Sequence, residues 1–254
     1  MVRNFNSRVQ TFGIRFEDGD FDEGQHQQLM VEHLGVEHEE IHATNTVIGE
    51  AFGKALTACE KPLLRTAPIP LFLLSQKVHS SGFKVVLTGE GADEFFGGYS
   101  IYKEAKIRQC LSRFPQSTHR RELIGALYSY IFKDAKSRHL LTSFFSRGLD
   151  SVNHPLFSHL IRWENTRRTR LFFSDELKDQ IGDYNPYQDL QGLLPEDFGR
   201  WDYFSRAQYL ESRIFLSNYL LSSQGDRVAM AHSVEIRLPY LDYRIMEMMA
   251  RVPS

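Results

Sequence analysis

Apolar and polar positions along the first third of the chain alternate between strand-like and helix-like spacing. Val9–Phe16 is rich in β-branched and aromatic residues and ends at Glu17-Asp-Gly-Asp20, which predicts a strand and a turn. Asp20 or Asp22 is placed to cap a helix running to Leu34, and Gly35 is a natural stop for it. A short strand is predicted near Glu37–His42, and Thr44 or Asn45 then caps a helix through Cys59. Past Pro62, Pro68 and Pro70, the spacing predicts a helix around Leu71–Ser80. Lys84–Thr88 is a compact apolar run between Gly82 and Gly89, as expected of a strand buried on both faces. A helix over roughly Asp93–Leu111 follows. Strands separated by helices predict an α/β fold with a parallel sheet covered by helices.

The remainder reads as mostly helical. Stretches near Arg120–Lys136 and Pro155–Glu164 have helical spacing, and Asp183–Tyr187 and Gly192–Glu196 look like turns. A long helix is expected over Trp201–Ser222 and a shorter one over Leu241–Arg251. The expected organisation is therefore an α/β part over residues 1–112 and a mainly helical part over 113–254. In a parallel α/β sheet, ligands sit at the carboxyl ends of the strands, which directs attention to the residues after Phe16 and Thr88.

Composition narrows the classes of function. The 254 residues carry 30 Lys plus Arg against 32 Asp plus Glu, a net charge of −2. That balance gives no reason to expect nucleic acid or an anionic membrane as partner. With 42% apolar and 24% charged residues, the chain can bury a core. Its two cysteines, Cys59 and Cys110, exclude a disulfide scaffold and fit a reducing, cytoplasmic setting. No apolar run reaches the ~18 residues of a membrane span, and the first residues hold no apolar signal core, so neither insertion nor export is expected.

Three motifs fail on inspection. His38-Glu-Glu-Ile-His42 matches H-E-x-x-H, but that zinc chemistry needs a helix, and two histidines four apart on a strand lie about 13 Å apart. Gly49-x-x-x-Gly53-Lys54 is one spacer short of a phosphate loop, lacks the Ser or Thr for magnesium, and reads as a helix interior. Arg162–Arg170 places four arginines in nine residues beside Trp163. A single-strand nucleic-acid groove has that look, but so does a solvated face or a set of internal ion pairs, the expected reading here.

The stretch Thr88-Gly-Glu-Gly-Ala-Asp-Glu-Phe-Phe-Gly-Gly-Tyr99 carries the chemistry. It follows a strand and opens a helix. Gly89 and Gly91 leave main-chain N–H groups accessible to a phosphate, next to a helix N-terminus. Glu90 sits between them, and Asp93 and Glu94 are of the type that holds Mg²⁺ together with substrate phosphates. Gly97 and Gly98 allow a close approach or a sharp bend.

Leu87–Tyr99 strongly resembles the signature of glutamine-hydrolysing asparagine synthetases. So does the block Gln224-Gly-Asp-Arg-Val-Ala-Met-Ala-His-Ser-Val-Glu-Ile-Arg-Leu-Pro-Tyr-Leu-Asp242, and Thr11–Phe16 and Leu34–His42 are similar to strands of that family. The resemblance runs from about residue 9 to the end. It implies an adenine-nucleotide α-hydrolase-like fold with ATP as substrate and Mg²⁺ as cofactor. The implied reaction amidates aspartate through β-aspartyl-AMP, releases pyrophosphate and uses glutamine-derived ammonia. By match to the family pattern, Ile14, Thr88, Gly89 and Gly91 are the implied ATP-binding positions. Glu90 is the implied catalytic glutamate, Asp93 a magnesium ligand, and Arg227 a contact for the departing pyrophosphate. Arg237 and Asp242 receive no role; an ion pair, or capping of the last helix by Asp242, reads as well. The resemblance leaves room for a homodimer in the full-length protein.

Two family parts are not found. The Ser-Gly-Gly-x-Asp-Ser loop that takes the ATP phosphates belongs before the Thr11–Phe16 strand, where only a few residues stand. Ser146-Arg-Gly-Leu-Asp-Ser151 has Arg147 where glycine is needed and falls in the helical part. The glutaminase's N-terminal cysteine has no counterpart, since position 2 is Val2. The expectation is a partial synthetase domain, without its first strand and phosphate loop and inactive alone. Related β-lactam-forming or peptide-modifying enzymes, or a remnant binding a partner through Arg162–Arg170, are the alternatives.

Overall fold

The computed structural model describes residues 9–20, 22–128 and 134–252. In chain order the elements are β1 (Gln10–Phe16), α1 (Gly24–Leu34), β2 (Glu37–Ala43), α2 (Asn45–Cys59), α3 (Pro68–Ser80) and β3 (Val85–Leu87). Then come α4 (Ala92–Phe96), α5 (Ser100–Arg113), α6 (Thr118–Leu127), α7 (Ala135–Phe145), α8 (Phe157–Arg167), α9 (Asp175–Ile181) and α10 (Pro186–Gly192). α11 (Tyr203–Leu210) runs into a π-helical segment over Glu211–Asp226, which passes into α12 (Arg227–Met230). β4 (Glu235–Arg237) and α13 (Tyr243–Met249) complete the described chain.

By its contacts the chain forms two compact units, Met1–Gly91 with Arg213–Ile245, and Ala92–Ser212 with Met246–Ser254. The first is α/β. β1 pairs in parallel with β2, Ile14 opposite Ile41, and β3 pairs in parallel with β4, Val86 opposite Ile236. Every described pairing is thus parallel, but the strands form two two-stranded sheets rather than the single sheet expected. β4 was not expected at all: three residues with one apolar side chain give no strand signal.

The expectation that the third strand is buried on both faces is also corrected. Val85 and Leu87 are 40% and 50% exposed. Only Val86 turns inward, to a core of Val78, Ala229 and Val234 that Phe12, Phe83 and Ile236 extend. Successive strand side chains face opposite ways, and an apolar run does not reveal whether both faces are covered.

α2 shows why its segment is helical. Ala51, Ala55 and Cys59 recur at four-residue spacing and form one buried stripe against Ile69, Phe72 and Val228. Thr44 caps the helix, its hydroxyl accepting from Val47 N at 3.2 Å. Thr44→Ala is expected to lower stability by about 1 kcal/mol, and Thr44→Ser to retain most of it, read as the urea midpoint at constant slope. α3 begins three residues before the expected start, because Pro68 suits a first helical turn. α1 begins at Gly24 with no side-chain cap. Asp22 instead pairs with Arg15 at 2.7 Å and accepts from Phe16 N, and the Arg15 guanidinium holds that carboxyl down at about 2. Gly35, left-handed at φ 57°, ends α1 as expected.

The second unit is helical. α5 lies at its centre, in contact with α6, α8 and α11. Leu111, Ile124, Leu141, Phe145 and Ile161 form one core, and Ile101, Tyr102 and Ala207 another. Residues 129–133, in the Arg120–Lys136 helix expectation, lie outside the described residues; α6 and α7 stand on either side. The long helix expected over Trp201–Ser222 exists but widens to π geometry from Glu211. Ser217 Oγ and Asn218 Nδ2 both donate to Arg213 O within that wider turn. α10 occupies part of the stretch read as turns, with Asn185 at its N-cap and Pro186 in its first turn.

Candidate functional site

β3 delivers the chain to Thr88-Gly89-Glu90-Gly91 at its carboxyl end, where a ligand is expected in a parallel α/β arrangement. Two pairings with the Gln224–Asp242 block fix this loop. Thr88 N donates to Arg237 O at 3.0 Å, extending the β3–β4 ladder by one residue. Gly91, at φ +92°, lies against Leu241: a Cβ built there would sit 2.1 Å from Leu241 Cδ2. The two signature blocks thus meet in space. Gly91→Ala is expected to cost about 1–3 kcal/mol, since it meets both an unfavourable backbone conformation and this side chain. Adding Leu241→Ala should recover the steric part alone, as measured by thermal unfolding of the single and double variants.

The loop's polar atoms are distinctive. Thr88 Oγ1 and Glu90 Oε2 are buried and have no hydrogen-bond partner among the described residues. Buried polar atoms are satisfied in the great majority of cases, and two of the eight unpaired ones among the described residues fall within these three residues, where they are available to a partner from outside the chain. Gly89 is exposed, and a Cβ built on it meets nothing within 4 Å. The space above its backbone is open, as an approaching phosphate requires. The loop residues therefore fit a nucleotide.

Immediately beyond, α4 opens the helical unit. The sequence suggested a helix over Asp93–Leu111; it is broken after one short turn. Gly97 is left-handed at φ +75°, and Gly98 lies so close to Asp93 that a Cβ there would be 2.0 Å from Oδ1. The carbonyls that the break leaves open are bonded: Gln208 Nε2 donates to Glu94 O and Phe95 O, and Tyr102 OH to Glu94 O. The chain restarts as α5 at Ser100. A single turn supplies little of the dipole expected at this point.

Asp93 and Glu94 separate in role. Asp93 is exposed and able to meet a cation. Glu94 is 1% exposed and accepts from Tyr99 OH at 2.8 Å. Burial lifts its carboxyl above the usual carboxylate range, opposed in part by the Tyr99 bond. The reading of Glu94 as a magnesium ligand is corrected: neighbouring helix positions point about 100° apart, so one faces out and the next in. Among the described residues no group of three or more His, Cys, Asp or Glu forms a metal cluster. Asp93 fits only the kind of Mg²⁺ site that relies on one carboxylate and substrate phosphates.

The other expected residues lie at different places. Ile14 is in β1, where Ile14 O accepts from Gln27 Nε2 at 3.4 Å. Gln27 carries no motif, yet its Oε1 is another of the eight buried side-chain atoms without a partner among the described residues. A lone Gln in a polar helix gives no signal that would have found it. Arg227 begins α12, and its Nη1 donates to Cys59 O at 2.8 Å while Nε stands 3.7 Å from Glu60. The side chain thus engages the end of α2 rather than the Thr88–Gly91 loop. Arg237 pairs with Glu235 at 2.7 Å. Asp242 does cap: its Oδ1 accepts from Arg244 N at 2.9 Å, and the pairing with Arg244 holds its carboxyl down at about 2.

The rejected motifs are placed as well. His38 and His42 lie on strand β2, where His38 Nδ1 is 2.8 Å from Thr11 Oγ1 and Nε2 is 3.2 Å from Glu40. Gly49 and Gly53 are inside α2. Ser146–Ser151 follows helix α7, not a strand. No helix among the described residues is long and apolar enough to cross a membrane.

The first unit is thus a parallel α/β arrangement whose strand-end glycine loop carries buried polar atoms without a partner among the described residues. The sequence profile described as Asparagine synthase matches residues 1–254, and the chain belongs to that family. Among curated relatives it is similar to Amidase chry2 of Gibberella zeae, 26% identical over 97% of this chain and 37% of that protein. It is also similar to glutamine-hydrolyzing asparagine synthetase 1 of Bacillus subtilis, 24% identical over 100% of this chain and 38% of that protein. A glutamine-hydrolyzing asparagine synthetase of Brassica oleracea is 39% identical over 40% of this chain and 17% of its own length. The chain thus spans little more than a third of the curated relatives that match it throughout.

Proposed function

We propose that this chain forms amides at the expense of ATP, by adenylating a carboxylate and passing the acyl group to an amine. The observation that carries this is the Thr88–Gly91 loop, with its two orphaned buried oxygens and the open space over Gly89. The family and the names of its synthetase relatives support it.

The reading in full is the amidation of aspartate. An oxygen of the β-carboxylate attacks the α-phosphorus of ATP; the bond to pyrophosphate breaks, and β-aspartyl-AMP forms. The ammonia nitrogen then attacks the acyl carbon, AMP leaves, and the nitrogen gives up a proton. Glu90 is the group proposed to take that proton, since a carboxylate at the strand end can accept it as the N–C bond forms. Thr88, Gly89 and Gly91 are proposed to hold the nucleotide, with the Ile14 backbone at its base. Arg227 is proposed to face pyrophosphate, where fixed positive charge favours the leaving group; its guanidinium would then exchange Cys59 O for a phosphate oxygen. Asp93 would hold Mg²⁺, which when bound neutralises phosphate charge.

A second reading differs in the acceptor. Amidase chry2, a relative not named as an asparagine synthetase, matches 97% of this chain, so the reading keeps open substrates other than ammonia and aspartate. The test is exchange of labelled pyrophosphate into ATP by a polypeptide in which a Ser-Gly-Gly-x-Asp-Ser strand and loop precede this chain. Exchange that needs aspartate supports the full reading. Exchange with another carboxylate supports the second, and none with any carboxylate overturns both.

A further inference from the structure

In the helical unit, a cavity of about 710 Å³ opens between the end of α7 and the far half of α8. That is in the range of small-molecule sites. Its inner wall is apolar, with Phe144, Phe157, Leu160 and Ile161, and Leu171, 79% exposed, lies at its edge.

Its charge is one-sided. Arg147, Arg168 and Arg170 line it, and none forms an ion pair among the described residues. The one acid in the lining, Glu164, is 3.6 Å from Arg167, and Lys178 is engaged with Asp175 at 3.0 Å. The deepest cation is Arg108, 2% exposed, whose guanidinium donates to the carbonyls of Phe145, Phe157 and Arg147 and lies over the Phe157 ring at 4.2 Å. Burial brings Arg108 down only to about 10, so it is charged at neutral pH. Because its three carbonyl partners come from the end of α7, the turn after it and the start of α8, the cavity wall is preformed.

On a chain of net charge −2, gathering Arg108, Arg147, Arg167, Arg168 and Arg170 around one carboxylate, Glu164, leaves a local excess of positive charge that an anion would relieve. Arginines past a helix end do complement the helix dipole, but that accounts for position along the axis and not for convergence of two helix ends on one apolar pocket.

We propose that this cavity binds an organic anion with an apolar body: a phosphate or carboxylate held by Arg147, Arg168 and Arg170, with an acyl or aromatic frame against Phe144 and Leu160. The assignment does not rest on the ligase reading, and it replaces a nucleic-acid partner for the Arg162–Arg170 segment with a small molecule.

Calorimetric titration of the 254-residue chain tests it, with 1-naphthyl phosphate and decanoate as probes and inorganic phosphate and 1-naphthol as controls. The expected result is saturable 1:1 binding of at least one probe, at least tenfold tighter than either control and weakening as salt rises. Arg168→Ala/Arg170→Ala should weaken that binding at least tenfold with the thermal midpoint unchanged. Leu171→Asp, at an exposed edge position, should weaken it without unfolding the chain. Absence of saturable binding by both probes at millimolar concentration overturns the proposal. So does binding that survives in the double arginine variant, which would place the probe elsewhere. A twelve-nucleotide oligothymidylate that binds more tightly than the probes, and is lost in the same variant, would assign nucleic acid and overturn the small anion.

Discussion

Glu90→Gln is expected to reduce amide formation by about 10²–10⁴-fold, the usual contribution of a positioned general base, while the chain remains folded. The substitution keeps the shape of the side chain and removes its capacity to take a proton. Folding should survive because Glu90 Oε2 has no partner among the described residues to lose. The measurement is product formation by a polypeptide carrying this chain behind a Ser-Gly-Gly-x-Asp-Ser loop, with thermal unfolding in parallel. Loss of adenylate exchange and product together would place Glu90 in the first step. Loss of product with exchange retained would place it in the amine step. Unchanged turnover in a folded variant would remove Glu90 from the chemistry and favour a remnant that only binds.

The largest expected effect on stability lies at Arg108. Arg108→Met keeps much of the apolar stem but strips the hydrogen bonds from three carbonyls, those of Phe145, Arg147 and Phe157. Leaving buried acceptors unpaired costs about 1–3 kcal/mol each, less where a carbonyl has other partners, so a total of about 2–4 kcal/mol is expected. Against a domain stability of about 5–15 kcal/mol, that is a large fraction. Urea unfolding should show it as a lower midpoint at unchanged slope. Arg108→Lys should recover less than half, because one ammonium cannot reach three carbonyls arranged around a planar fork. A midpoint shift below that of Thr44→Ala would contradict the clamp.

Much of this architecture was legible because it depends on near neighbours in sequence. Thr44 and Gly35 bound their helices through interactions within a few residues, and the Ala51, Ala55, Cys59 stripe is a local period. The loop after β3 was legible for a similar reason: glycines at 89, 91, 97 and 98 declare where backbone must turn or be approached. Less was legible where partners are distant. β4 exists because three residues near 236 pair with three near 86, and nothing in Glu-Ile-Arg announces a strand. Arg108 reads as one more exposed arginine until carbonyls 37 to 49 residues away surround it.

The sequence by itself determined the family, the succession β1–α1–β2–α2–α3–β3 at the start of the chain, and the loop that holds Thr88 and Glu90, since each is written in local spacing and residue type. Only the tertiary structure decided which acid faces outward at Asp93 and Glu94, and that Arg227 turns to the end of α2. It likewise decided that Val85 and Leu87 remain partly exposed and that the arginines after α7 and α8 converge on one cavity. Those outcomes depend on burial, and burial is a property of what the rest of the chain places over a residue.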